Sequence, residues 1–545
     1  MEILGPVTSE LHPDEAHAVD TESHGRGGLS APVRKHHIHR TWSRDIESSS
    51  FDTMAGKRNV LLMVADDLGK QLSCYGAKEI QTPNIDSLAA QGTRFDYAFA
   101  STASCSGSRS VIYTGLHTHQ NGQYGLASHR HHFVTFDHVE TAPFLLNQIG
   151  HRTAIIGKIH VGPIALYPWQ VKEENDTRDV AVISDQARSF FEKCKADESP
   201  FFLTIGFIDP HRDRTRGGFG NHHRYDPRIS QGTYGTDDVE IPPFLNDTPG
   251  ARLELAEYYN SIHRLDQGVG FVLDALVDSG LASSTLVIFL SDNGSPFMNS
   301  KTTLYDAGIH LPLIIKHPET QPAASSAMVS YIDILPTILE FVDHPAKQDP
   351  AHKRIGRSLL PNLGSKSDDA KFNRVFGSHT FHEVTNYWPT RFIRDRKYKY
   401  HRNLAWRLDF PFASDIYGSL SWEDVRNSRE SEIQVGKRKL KDYFFRGPEE
   451  LYDLENDPLE VNNLAKHPDH QELLEKMRAT LEEWQRRTED PWLYRDGVSV
   501  WFNRYHFPSG LKIPDRFDFD VDRPGNTDVE VFDGDVEWGA DVKSD

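Results

Sequence analysis

Cysteine is scarce in this chain, with only Cys74, Cys105 and Cys194 among 545 residues. So sparse, odd and widely spaced a set excludes a disulfide framework and is compatible with a reducing compartment. No run of about 18 apolar residues occurs, which argues against a membrane-spanning helix. The opening stretch has neither the basic start nor the apolar core of a secretory signal, which predicts a chain retained in the cytoplasm. Net positive charge is missing too. With 79 acidic and 60 basic residues the formal charge is −19, which disfavours nucleic acid and anionic membranes as partners. An anionic ligand is then expected to enter end-on, into a small site where local basic groups override the field. No internal repeat is present.

What remains describes a globular chain long enough for two domains, 38% hydrophobic and 26% charged. Residues 1–55 are polar and rich in His, Ser, Gly and acidic groups, so disorder is expected there, with "KHHIHR" as a solvated tail. The first strong apolar run begins at Val60, just after "MAGKRN", which makes Met54 a candidate start. From residue 56 to about 370, short apolar runs alternate with longer helical patterns. Continuous Val/Ile/Leu/Phe runs mark strands covered on both faces, so this part is expected to be an α/β sandwich with a mostly parallel central sheet. The texture then changes. "RFIRDRKYKYHRNL" and "EELYDLENDPLEVNNLA" read as strands and turns of a smaller domain, 371–510, with a charged helix at "QELLEKMRATLEEWQRR". An acidic tail, 511–545, closes the chain.

Four apolar runs end in polar residues that are costly to place near a core. They reach Asp66 and Asp67, Lys158 and His160, Asp209 and His211, and Asp292 and Asn293. Ligands of open α/β sheets bind outside the carboxyl ends of the strands, so these endings suggest one shared site. Asp66, Asp67, Asp292 and Asn293 offer only oxygen donors, which suits Ca²⁺ or Mg²⁺ and argues against structural zinc. The plain alternative is that strand-end Asp and Asn cap turns. Lys158, His160, His211 and Lys301 supply cations and proton carriers suited to a tetrahedral oxyanion. At Cys105 a turn of small residues is expected to open a helix, with Arg109 one turn along and the thiol pKa lowered by the helix start. A small buried hydrophobe is the alternative for Cys105.

"CSGSRSVIYTG" resembles the signature of the sulfatase family: cysteine, two spacers, serine and arginine ahead of a Thr-Gly pair. "ADD", "GKIHVG", "DPH", "SDNG" and "KTTLYDAG" follow in the family's order, and the resemblance runs from about Arg58 to about Trp492. It implies an alkaline-phosphatase-like α/β/α fold with a smaller C-terminal α+β domain carrying an antiparallel sheet. It also implies conversion of Cys105 to formylglycine, whose hydrate is the family's nucleophile, by a formylglycine-generating or equivalent modifying enzyme. Gly107 departs from the pattern, which usually has Pro or Ala at a position that enzyme reads.

Carried over residue by residue, the resemblance makes Asp66, Asp67, Asp292, Asn293 and the modified Cys105 ligands of Ca²⁺, with Mg²⁺ as the alternative. Arg109 and Lys158 would fix the nucleophile, His160 would remove its proton, and His211 and Lys301 would bind sulfo oxygens. His211 is the better candidate to protonate a leaving nitrogen. The stretches "TGLHTHQNGQYGL", "HHFVTFDHV" and "FGSHTFHEVTNYWPTR" resemble the branch of the family that cleaves N-sulfoglucosamine. They make His382 and Glu383 candidates for gripping the sugar. The implied partner is a sulfated saccharide of the heparan sulfate type, and a homodimer is open. An O-sulfatase and a non-catalytic sulfosugar-binding protein are the rival readings. Sequons occur at Asn175, Asn246 and Asn293, and sugar on Asn293 would destroy the metal site.

Overall fold

A computed structural model describes residues 58–348, 354–365 and 370–493. The polar segment 1–55 with Met54, and the acidic tail 511–545, lie outside the described residues.

Nine strands form the larger sheet: β1 (Asn59–Ala65), β2 (Thr93–Phe99), β3 (Arg152–Gly157), β4 (Val171–Glu174), β5 (Phe201–Gly206), β6 (Thr285–Ser291), β7 (His310–Leu311), β8 (Leu313–Lys316) and β9 (Ala323–Ser330). The spatial order is β4-β3-β5-β1-β6-β8-β2-β7, with β9 on β2. At its centre β3, β5, β1 and β6 are mutually parallel neighbours, with Val60 level with Phe202 on one side and Leu286 on the other. Four consecutive strands therefore discharge at one edge. β2 and β8 run antiparallel where they meet, so the sheet is mixed but mostly parallel.

Alternation along β1 explains the unbroken apolar run. Val60, Leu62 and Val64 enter one core with the helix Cys105–Thr114, while Leu61, Met63 and Ala65 enter a second core with the helix Pro249–Asp278. Helices thus cover both faces, as the sequence pattern requires. The long helix starts at Thr248, whose hydroxyl caps Ala251 N, and stops just before Gly280 at φ +77°. Truncation of Leu62, wholly buried between the layers, is expected to cost about 3 kcal/mol in urea unfolding of the Leu62→Ala variant.

A second, antiparallel sheet contains β10 (Arg374–His379), β11 (Thr390–Asp395), β12 (Tyr398–Asn403) and, after a ribbon of β13 (Gln434–Val435) and β14 (Arg438–Lys439), β15 (Glu449–Asp453). The helix Gln471–Arg487 covers it through Leu474, Met477, Leu481 and Trp484, packed on Ile393, Tyr400 and Leu451. Among the described residues no helix is long and apolar enough to cross a membrane.

Candidate active site

The shared edge of β3, β5, β1 and β6 brings the strand-end residues together. Gly157, at φ +87°, and Gly206 let the chain leaving β3 cross the end of β5 closely, since a Cβ on Gly206 would lie 2.2 Å from the Lys158 carbonyl oxygen. Lys158 is thereby turned onto Asp66, with which it forms an ion pair. Two of the site residues occupy the left-handed region without being glycine, Asp67 at φ +62° and His160 at φ +56°. Such strain persists where surrounding contacts over-determine the backbone.

Cys105 opens the helix Cys105–Thr114, as the small-residue turn predicts. The expected lowering of its thiol pKa does not occur. Burial pushes the thiol well up, and the charges of Asp66, Asp292 and Asp67 act in the same direction, against the pull of Lys158. The Cys105 thiol is therefore a poor nucleophile in its own right. Gly107 fits a tight spot: a Cβ there would lie 3.1 Å from a methyl of Thr102 and 3.2 Å from one of Thr118.

One ligand atom from each of Asp66, Asp67, Cys105 and Asp292 falls within 4.8 Å of the others, all buried. Asn293 Nδ2 donates to Asp67 Oδ1 at 2.6 Å, and its side-chain Oδ1 is buried without a hydrogen-bond partner among the described residues. Asp66 Oδ1 is likewise buried without one. Crowding of carboxylates has an electrostatic signature. Burial opposes the ionisation of Asp66, but Lys158, His211 and Arg109 outweigh it and hold its pKa well below the usual range. Asp292 is pushed up to about 7 by burial and by the Asp66 charge. Orphaned oxygens and mutually repelling carboxylates fit a hard divalent cation. Buried as it is, Asn293 is not a site for sugar attachment.

Arg109 is fully buried on the same helix face. Its Nε donates to Asp292 Oδ2 at 2.8 Å and its Nη1 to the Lys158 carbonyl at 3.3 Å. His160 is driven well down in pKa by burial and Lys158, so it is neutral, with Nδ1 unpartnered among the described residues and Nε2 3.4 Å from Ser128 Oγ. His211 donates from Nδ1 to the Arg212 carbonyl at 2.6 Å, an arrangement that presents Nε2 to the site. Burial and Lys301 lower its pKa. Lys301, far from being a solvated surface charge, is 1% exposed and uses its three N–H bonds on Asp67 Oδ2 at 2.8 Å, Asp415 Oδ2 at 2.7 Å and His211 Nε2 at 3.2 Å.

The site opens into a cavity of about 1800 Å³, lined among others by Asp66, Cys105, Lys158, His160, His211 and Lys301. A small site was expected, whereas segments following β5 and β12 contribute to the lining of a larger cavity. His382 and Glu383 line it as well. His382 is buried, with Nδ1 2.9 Å from Ser104 Oγ beside the cysteine, and Glu383 accepts from Ser414 Oγ. Asp209 is not part of the lining. Its carboxylate is consumed by Arg178, Arg264 and Ser261. Sequence reasoning missed Asp415, which sits in no recognisable motif and reaches Lys301 from 114 residues away.

Comparison with known proteins agrees with this arrangement. A sequence model of the family described as Sulfatase matches residues 58–344. The chain is 41% identical to N-sulphoglucosamine sulphohydrolase from Homo sapiens over 472 residues, 82% of this chain and 93% of that protein. An ulvan-active sulfatase from Formosa agariphila is 29% identical over 83% of this chain and 85% of its own length. Among solved structures, one in complex with its substrate D-glucosamine-2-N,6-O-disulfate superposes with a TM-score of 0.57 at 20% identity, over 80% of this chain and 98% of that one. A 2-O glycosaminoglycan sulfatase gives a TM-score of 0.59 at 20% identity, over 80% and 93%. A strand-end cluster of acids, a cysteine-headed helix and a matching sequence model over the whole larger sheet together mean that this chain, a hydrolase, belongs to the sulfatase family.

Proposed function

We propose that the protein hydrolyses the N-sulfo group of a terminal glucosamine residue in heparan-sulfate-type saccharides, releasing sulfate and the free amine. The observation that carries this reading is the 41% identity to N-sulphoglucosamine sulphohydrolase over 472 residues. A match of that length is not confined to the strand-end residues that any sulfatase needs.

In this reading Asp66, Asp67, Asp292 and Asn293 hold a hard divalent cation, calcium first and magnesium as the alternative, and Cys105 is converted to formylglycine by a modifying enzyme. Together these groups supply charge neutralisation for a sulfo group and an oxygen nucleophile for sulfur. Arg109 and Lys158 keep positive charge beside residue 105, locked there by Asp292 and Asp66. His160, neutral and with Nδ1 unpartnered, accepts a proton. His211 turns Nε2 toward the cavity, because the hydrogen bond from Nδ1 to the Arg212 carbonyl fixes that edge, and once protonated there it delivers the proton to the leaving nitrogen. An amine leaves poorly without that proton. Lys301 exchanges one of its three present hydrogen-bond partners for a sulfo oxygen, and His382 and Glu383 grip the sugar from the wall after β10.

The test is free-sulfate release by the full chain from N-sulfoglucosamine and from an aryl sulfate ester. The expected result is turnover of the sugar with kcat/KM at least about 10-fold above that of the ester, lost on chelation and restored by Ca²⁺. Release from the ester alone overturns the N-sulfo reading in favour of an O-sulfatase.

A further inference from the structure

Asp415 lies in the short helix Ser414–Tyr417 and lines the cavity with a side chain 23% exposed. Its Oδ2 accepts from Lys301 Nζ at 2.7 Å and stands 4.0 Å from His211 Nε2. Among the described residues its Oδ1 accepts only from the neighbouring Ile416 N–H, at 2.9 Å, which leaves a lone pair for a ligand. Burial works against the ionised form, but Lys301 and His211 outweigh it and hold the group as a carboxylate.

The relation between Asp415 and His211 is built rather than incidental. Glu254, buried on the long helix, takes both Nη atoms of Arg212, at 2.6 and 3.0 Å. The same carboxylate accepts from Leu420 N at 2.7 Å and Ser421 Oγ at 2.6 Å, just beyond the Asp415 helix. Arg212 in turn anchors His211 through its carbonyl. One buried node therefore sets both the proton donor and the carboxylate beside it.

Two kinds of sulfo bond differ in the charge they leave behind. Cleaving an N-sulfo group, R–NH–SO3⁻ + H2O → R–NH3⁺ + SO4²⁻, breaks S–N, places the water oxygen on sulfur and leaves both water protons on nitrogen. Cleaving an ester, R–O–SO3⁻ + H2O → R–OH + HSO4⁻, leaves a neutral alcohol. An anionic oxygen next to the proton donor stabilises a developing ammonium and offers nothing comparable to a developing alcohol.

We propose that Asp415 is a specificity-determining residue, which favours an amine leaving group by placing its carboxylate where the departing nitrogen becomes a cation. The inference rests on the N-sulfo reading above. It is tested in the full chain by inhibition of sulfate release with D-glucosamine, cationic at nitrogen, and N-acetyl-D-glucosamine, neutral there, in wild type and Asp415→Asn. Wild type is expected to bind glucosamine at least about 10-fold more tightly, and the variant to bring the ratio below about 2. Inhibition by inorganic sulfate should stay within about 2-fold, showing that the sulfo half of the site stands. An unchanged sugar ratio in the variant overturns the proposal. So does a parallel loss of sulfate inhibition, which would make Asp415 a structural prop for Lys301. Failure of the N-sulfo reading itself shows separately, as absent turnover of N-sulfoglucosamine by wild type.

Discussion

Replacing Cys105 by alanine is expected to abolish sulfate release, lowering kcat/KM by roughly 10⁴-fold or more, while the protein stays folded. The reasoning combines position and electrostatics. Cys105 heads its helix with Sγ 3.8 Å from Asp67 Oδ1, inside the group of carboxylates, and Arg109 and Lys158 stand beside it. No other side chain in that group carries a potential nucleophile, because Asp66, Asp67 and Asp292 are engaged with Lys158, Lys301 and Arg109. Loss of one small buried sulfur costs only about 1 kcal/mol of packing, so activity and stability separate cleanly. Measured together, sulfate release and the urea midpoint decide the matter. Near-wild-type turnover in Cys105→Ala removes residue 105 from the chemistry.

The second large effect is on stability. Arg109→Ala should lose about 3–5 kcal/mol in urea unfolding when chelator is present, because it strands buried carboxylates without their partner. Arg109 is wholly buried, 2.8 Å from Asp292 and 3.7 Å from Asp66, and few groups are left to replace it. Lys158 remains on Asp66 and acts on Asp292 only at longer range, and among the described residues Asp292, already pushed up in pKa by burial and its neighbour, forms no second ion pair. Saturating Ca²⁺ should return part of the loss, since a bound cation relieves the same repulsion and binding to the native state adds its own stabilisation. Arg109→Lys should fall between, keeping the charge but not the planar fork. Equal stability of wild type and Arg109→Ala in chelator would show that the acid cluster needs no internal compensation.

The gathering of polar residues at the strand ends was legible because it obeys a local rule. A continuous apolar run that stops at "DD", "KIH" or "SDN" announces both a buried strand and the edge where polar groups gather, and parallel order then puts those edges side by side. Lys301 was legible only through the resemblance, since a lysine in a loop reads as solvated, and the structure buries it against two carboxylates. The thiol pKa was misread for a physical reason: a helix start lowers it in isolation, yet here burial and three aspartates act in the other direction. Asp415 and the Arg212–Glu254 node were not legible at all. Their meaning lies in contacts 114 and 42 residues apart in sequence, and neither Asp415 nor Glu254 sits in a motif that points to its partner. Cavity size failed likewise, being set by loops whose paths no local pattern dictates.

Everything proposed for turnover depends on residue 105 being an oxidised cysteine next to a bound cation. Mass spectrometry of the peptide spanning Ser104 to Arg109, taken from enzyme that releases sulfate, addresses this most directly. The aldehyde form, lighter than the thiol, is the predicted species. Active enzyme whose peptide carries only the intact thiol would contradict the account.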